Sequence, residues 1–411
     1  MASPKIFLSA GEASGEHYGA MLIEALRRMA PQADFFGLGG VRMEKLGLRR
    51  VVRAEDVAIM GITEVIAHMP HIYGEYRRLT ASLRRERPDL AILIDFPDVN
   101  LRLAEQLHRL DIPVVYFVSP QLWAWKKWRI RRVKRFVTRM LVIFPFEEAF
   151  YRGHGVAADF VGHPLADLAQ PEGTRGQFAS ENRLDPSKSW IGLLPGSRKK
   201  ELLANLPPML EAAALLGPSY EYVLPVAPTL EQSEVSDTVS RSISNAGGQG
   251  LCVRLVRDAR AALLHARASI TASGTATVEA ALIGNPFVVV YRVSALSYAV
   301  ARRVIRVPHV AMVNLIAGRR IVPELIQYDF TAAKVVESLR PLLEDSEARA
   351  TMQRDLNAVA KALQVRTPSQ IGETVIEHVA AIALELVSKG KGWSDSLHPI
   401  SLRPLEERPF Q

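Results

Sequence analysis

Two carboxylates in Ile94-Asp-Phe-Pro-Asp-Val-Asn100 are suited by type and spacing to take a proton from an alcohol. Asp95 ends an apolar run, Pro97 restricts the backbone, and Asp98 falls where the next helix begins. Asp98 is the first candidate base and Asp95 the second, although Asp98 is equally suited to cap that helix. A different chemistry is carried by Ile191-Gly-Leu-Leu-Pro-Gly-Ser-Arg-Lys-Lys-Glu201, which reads as a strand, a tight turn and a helix start. Amides at a helix N-terminus lack intrahelical partners and favour an anion. Gly196 lets the backbone approach, Ser197 can cap or donate, and Arg198 adds a bidentate cation, with Glu201 one turn on. Ser273-Gly-Thr-Ala-Thr-Val-Glu-Ala-Ala281 repeats this logic: Ser273, Gly274 and Thr275 form the turn, and Glu279 can accept from two ribose hydroxyls. Two phosphate-ready turns and a ribose acceptor point to a nucleoside diphosphate. No lysine follows Gly196-Ser197 in the Walker pattern, so ATP hydrolysis is not indicated. Asn314, Glu324 and Gln327 either reach the donor or hold loops together.

These residues need strands behind them. Short apolar runs alternate with amphipathic ones from end to end, the pattern of βαβ units and a parallel sheet. The strands expected in the first half are Lys5–Ser9, Asp34–Gly37, Leu90–Ile94, Pro113–Val118, Arg139–Phe144 and Ala158–Val161. Those in the second half are Trp190–Leu194, Glu221–Leu224, Leu251–Leu255, Ala268–Thr271 and Phe287–Tyr291. The polar stretch Asp167–Ser189 between them is the expected linker. Two open α/β domains would then turn the carboxyl ends of both sheets to one cleft. Gly11 and Gly15, with Glu12 and Ser14 between, make a loop after the first strand that lacks the dinucleotide fingerprint; Gly37-Leu-Gly-Gly40 is a second glycine loop.

Two features suit a lipid surface. Trp123, Trp125 and Trp128 interleave with Lys126, Lys127, Arg129, Arg131, Arg132, Lys134 and Arg135, a composition that also suits nucleic acid or a solvated basic helix. Upstream, Ile62, Val65, Ile66 and Met69 fall at helical spacing, with Pro70 expected to break or kink the helix. This stripe is either core or a face that dips into a bilayer interface. The 411 residues carry 48% hydrophobic and 23% charged side chains and a net charge of +8, a folded protein that favours an anionic partner. The single cysteine, Cys252, excludes an internal disulfide. No signal peptide and no apolar run near the roughly 20 residues of a membrane span are read, so a cytoplasmic location is expected. The end of the chain from Ser388 to Gln411 is expected to be disordered.

The motifs now in hand resemble those of the lipid A disaccharide synthase family, glycosyltransferases of the two-Rossmann-domain (GT-B) architecture. The resemblance runs from about Lys5 to Val387 and rests on seven motifs in order. They are Ala10-Gly-Glu-Ala-Ser-Gly, Met60-Gly-Ile-Thr-Glu-Val, Asp95-Phe-Pro-Asp-Val-Asn, Ser119-Pro-Gln-Leu-Trp-Ala-Trp, Pro195-Gly-Ser-Arg, Ser273-Gly-Thr-Ala-Thr-Val-Glu and Met312-Val-Asn-Leu-Ile-Ala-Gly-Arg. Glu16, Val41 and Val99 depart from its usual residues. The resemblance implies two Rossmann-like α/β domains facing a cleft: an acceptor and membrane-facing domain over 1–170, a UDP-sugar domain over 186–365, and a helix over 366–387 returning to the first. It implies transfer of diacylglucosamine from UDP to diacylglucosamine 1-phosphate, with inversion, on the inner face of the inner membrane with its anionic phospholipid. No cofactor, metal or nucleic acid is expected, since helix dipoles and cations can carry the leaving charge. A soluble UDP-sugar epimerase and a non-catalytic RNA-binding protein are the alternatives.

Overall fold

The computed structural model describes residues 3–57, 62–248, 250–305, 307–364 and 374–389. Its first sheet contains β1 (Lys5–Ala10), β2 (Asp34–Gly39), β3 (Leu48–Arg53), β4 (Leu90–Ile94), β5 (Val114–Phe117), β6 (Arg139–Val142) and β7 (Ala158–Phe160). Their order is β3-β2-β1-β4-β5-β6-β7, every pairing parallel. The second sheet contains β8 (Ser189–Leu194), β9 (Tyr220–Pro225), β10 (Cys252–Val256), β11 (Ala268–Ala272), β12 (Phe287–Tyr291) and β13 (Glu324–Ile326), in the order β10-β9-β8-β11-β12-β13 and again parallel. Inner strands such as β4 and β11 are buried throughout because helices cover both faces of a parallel sheet. Ile92 lies at 0% exposure, where truncation to alanine costs about 2–5 kcal/mol.

In each sheet the strand order reverses once, between β1 and β4 and between β8 and β11. Ligands of open α/β sheets bind outside the carboxyl ends at such a reversal. The four turns that leave these strands, with the helix starts they lead into, carry Gly11 to Gly15, Asp95 to Asp98, Gly196 to Arg198 and Gly274 to Thr275.

Several expectations need correction. The helix Ile62–Glu86 runs through Pro70 without a break. Pro70 is exposed, so water can satisfy the carbonyl that its missing N–H leaves free. The expected linker is not structureless: Arg175–Asn182 is a helix with a Thr174/Gln177 capping box, and Phe178 packs with Trp190 and Val256 of the second domain. The side chains of Ile62, Val65, Ile66 and Met69 lie outside the described residues, as do residues 390–411.

The two domains join at a pair of adjacent crossings. The backbone N–H of His163 donates to the Leu363 carbonyl at 2.9 Å, and the Leu165 N–H donates to His163 Nδ1 at 3.2 Å. Burial holds the His163 imidazole neutral, pulling its pKa down to about 4. Beyond the second crossing the helix Val375–Ser388 returns to the first domain and packs on the helix Ala13–Met29. Val375 N–H donates to Asp167 at 2.5 Å, and Arg28 pairs with Glu377 at 3.0 Å.

Candidate active site

The front turn is built from strain held in place. Asp95 and Phe96 are consecutive non-glycine residues in the left-handed region, with φ of 47° and 49°. Hydrogen bonds from three directions hold them there. Tyr116 Oη donates to the Asp95 carbonyl at 2.6 Å, and Asp95 N–H donates to Phe117 O at 3.0 Å. The Asn100 amide donates to the Asp95 carbonyl at 2.7 Å and to Ile94 O at 3.2 Å, while its own oxygen accepts from Ser9 Oγ at 2.6 Å. Asn100 is buried, so it shapes the loop rather than meeting a ligand. The Phe96 ring lies over Gly11, where any Cβ would strike it. Gly15 is buried and Ser14 exposed on the neighbouring helix.

The turn separates the two carboxylates. Asp98 is 67% exposed and paired to Arg129 on the tryptophan-rich segment. Asp95 is pushed up to about 7, by burial first and then by the charge of Glu12, against a hydrogen bond from the Phe96 backbone and the charge of Arg198. A carboxylate titrating there can both hold and release a proton near neutrality. Among the two candidates, the one ranked second in the sequence is the one that shares its surroundings with Arg198.

The rear turns face this group. Gly196 has φ of 117°, and Asn205 fixes the turn before it by donating to Pro195 O at 2.9 Å while accepting from Arg292 N–H at 2.9 Å. The amides of Ser197 and Arg198, expected to hold a phosphate, donate to Glu201 at 3.1 and 3.3 Å. Glu201 therefore occupies the anion position of its own helix start. The Arg198 guanidinium lies 3.6 Å from Glu201 and 3.9 Å from Glu12 of the other domain. The helix Thr275–Ile283 starts at Gly274 with no side-chain cap; the Thr277 amide turns back to the Gly274 carbonyl at 3.1 Å, and the Thr275 and Ala276 amides have no partner among the described residues. Ser273 Oγ donates to Val310 O at 3.3 Å. Glu279 is half-buried on that helix, and burial raises its pKa. Buried Tyr18 lies between the domains, its hydroxyl pushed up by burial and then by the charges of Glu279 and Asp95.

Three further candidates hold loops. Asn314 donates to Val322 O at 3.0 Å and to Glu324 at 2.8 Å, and accepts from the Ile321 and Val322 amides. Glu324 accepts from the Val310 and Ala311 amides, and Gln327 bonds both backbone groups of Val293. All their recorded partners belong to the protein's own loops.

The tryptophan segment divides. Trp123 faces inward: its indole N–H donates to Glu147 at 2.9 Å and its ring meets Phe146 edge-on. Glu147 is buried and also accepts from Ser119 Oγ at 2.7 Å and Phe144 N–H at 3.2 Å, yet burial raises it to about 7. Trp125 and Trp128 are 42% and 64% exposed, with Lys126 stacked on the first at 3.9 Å. Arg129 pairs with Asp98 and Arg132 shares Glu105 with Arg109, while Lys127, Arg131, Lys134 and Arg135 are exposed.

Glu147, Tyr116 and Asn205 escaped the reading of the sequence. Asn205 alone left a signal, a polar residue at a core position between Leu202 and Met209.

The family model described as lipid-A-disaccharide synthetase matches residues 6–375. The lipid-A-disaccharide synthase of Acidobacterium capsulatum is 60% identical, over 94% of this chain and 97% of that protein. The synthase of Koribacter versatilis is 49% identical, over 92% and 98%. Among solved structures, the glycosyltransferase of kitacinnamycin superposes with a TM-score of 0.60 at 14% identity, covering 94% of this chain and 100% of that one. UDP-GlcNAc 2-epimerase from Neisseria meningitidis bound to UDP-GlcNAc gives 0.56 at 13% identity, covering 95% and 100%. At such identities the likeness is one of fold, the two-domain GT-B architecture.

Proposed function

The chain belongs to the lipid-A-disaccharide synthetase family and forms the lipid A disaccharide, and from that premise we propose that it transfers 2,3-diacylglucosamine from its UDP derivative to the 6-hydroxyl of 2,3-diacylglucosamine 1-phosphate, with inversion and release of UDP. Relatives named as synthases at 60% and 49% identity, against 13% for the epimerase, support this reading over the epimerase alternative, and the match to an enzyme family speaks against a non-catalytic protein.

One observation carries the reading. The Arg198 guanidinium of the rear domain reaches to 3.9 Å from Glu12 of the front domain, in the surroundings of Asp95. Displacement at an anomeric carbon needs an activated alcohol on one face and a stabilised diphosphate on the other. Asp95 takes the proton of the acceptor hydroxyl as the new C–O bond forms. The bond to the UDP oxygen breaks, and the negative charge that grows there meets Arg198 and the open amides at Thr275. Glu279 accepts from the ribose hydroxyls. Because both sugars are acylated, the protein works at the inner face of the inner membrane, with Trp125 and Trp128 at headgroup level and Lys127, Arg131 and Arg135 toward anionic phospholipid. No described helix is long and apolar enough to cross a membrane.

The test supplies purified protein with the UDP donor and the acylated acceptor in detergent micelles. UDP release matched by a disaccharide product is expected, and no product would overturn the reading. Asp95→Asn is expected to lose turnover while still binding UDP. A near-normal rate in that variant would remove Asp95 from the base role.

A further inference from the structure

The rear domain carries a helix that rests on the fold by its half-buried Tyr298, Ala299 and Ala301, with Tyr298 meeting the Tyr328 ring edge-on, and that leaves its other face uncovered among the described residues. In Ala295–Val304, which follows β12, none of the described residues is buried. Val300, Val304, Ile305 and Val310, on the helix and just beyond it, are 54%, 44%, 45% and 44% exposed. A helix of ten residues is marginal in water unless it buries one face. The helix has no acidic residue, and its last turn carries Arg302 and Arg303, both exposed. Among the described residues neither arginine pairs with a carboxylate.

Its position is informative as well. The helix leaves the carboxyl end of β12, and the segment after it returns to the donor turn, where Ser273 bonds the Val310 carbonyl. It therefore runs along the rear rim of the cleft whose front rim carries Trp125 and Trp128.

We propose that this helix is a second membrane contact, lying in the headgroup region of an anionic phospholipid bilayer so that both domains rest on lipid. The inference rests on the proposed function, in which both substrates are lipids. Valine and isoleucine side chains with flanking arginines are what an interfacial helix presents: the aliphatic groups enter the acyl boundary and the long cationic side chains reach back to phosphate. A second copy of the chain fits less well. A two-fold contact would set Arg302 and Arg303 near their own copies, and four half-exposed aliphatic residues offer far less than the roughly 800 Å² per partner of a stable interface.

The test uses the full chain and two double variants, Arg302→Ala with Arg303→Ala and Val300→Ser with Val304→Ser. Partition is read by cosedimentation with mixed phosphatidylethanolamine and phosphatidylglycerol vesicles and with phosphatidylcholine vesicles. The arginine pair is expected to lower partition on the anionic vesicles by about tenfold, with little change on phosphatidylcholine. The valine pair is expected to lower it on both. UDP affinity and thermal midpoint are expected to stay at wild-type values in both variants. Unchanged partition in both, while Trp125→Ser with Trp128→Ser still loses binding, would overturn the inference. So would a change of oligomeric state without a change of partition, which would make a second copy the occupant. Synthesis by the wild type in micelles separates the two failures. A protein that makes the disaccharide but whose partition ignores these variants loses only the rear contact. One that makes no disaccharide loses the proposed function and this inference together.

Discussion

Arg198 and Glu12 face each other across the cleft at 3.9 Å, one from each domain, and the same guanidinium lies 3.6 Å from Glu201. One cation is thus shared by a carboxylate of each domain. A diphosphate entering the cleft competes for it with both, and it brings more charge and better bidentate geometry than either.

Arg198→Ala is therefore expected to lower turnover by about 10²–10³-fold, the loss typical when a preorganised charge donor is removed. Arg198→Lys keeps the charge and loses the fork, so it should recover only part of that loss. Steady-state kinetics with UDP titrations on both variants check the order wild type, lysine, alanine.

With Asp95 as the proposed base, the reaction is expected to have a pH profile. A base whose pKa lies near 7 is protonated below that value and active above it, so kcat/KM should rise with pH through about 7. The charge of Glu12 is the second cause of the raised value, after burial. Glu12→Gln is expected to move the rising limb to lower pH, and a limb that stays in place would contradict the assignment.

Asp98→Asn should leave the chemistry largely intact. Asp98 is exposed and its partner is Arg129, so the variant is expected to keep kcat within a few-fold and to lose at most about 1 kcal/mol of stability. Thermal melts and initial rates decide this.

Glu147→Ala removes the acceptor for Ser119, Trp123 and the Phe144 amide at one stroke. Leaving buried donors without partners costs about 1–3 kcal/mol for each group, part of which water entering the gap can offset. A loss of about 2–4 kcal/mol in denaturant unfolding is expected, together with a red shift of the Trp123 emission.

His163 makes the junction sensitive to acid. Its folded pKa of about 4 lies below the unfolded value of 6.5, so the unfolded chain binds the extra proton first. Stability from this site is complete above about pH 6.5 and is lost as pH falls toward 4, by about 3 kcal/mol. Asp95 and Glu147, raised to about 7, slope the other way over the same range. The quantity to measure is the difference between wild type and His163→Asn across that window, which should shrink as the pH is lowered.

Strands buried on both faces were legible because they read as unbroken apolar runs. Leu90–Ile94 and Phe287–Tyr291 agree with expectation to the residue. The edges were not. β3 has the sequence Leu-Arg-Arg-Val-Val-Arg with two of its six positions half-buried and two exposed, and β13 is only three residues long. An edge strand is paired on one side only and needs no continuous apolar signal. The motifs that line the cleft were visible as glycine turns after strands. Which aspartate shares its surroundings with Arg198 was not, because that depends on Asp95 and Phe96 standing one after the other in the left-handed region, which aspartate visits only occasionally and phenylalanine rarely. Asn314 and Gln327 stayed open between reaching the donor and holding loops, because in a sequence a polar residue has the same appearance whether it binds substrate or backbone.

The returning helix Val375–Ser388 means that the domains are strapped together twice, and the two straps touch where His163 bonds Leu363. Paired straps at one place work like a door hinge: the leaves can swing, but they resist sliding past each other or twisting apart. Arg198 and Glu12 lie on opposite leaves, so a small swing lengthens their separation while the turns that aim them keep their shape. Such a hinge would let the cleft widen for the acylated sugars proposed above and return to one alignment on closing.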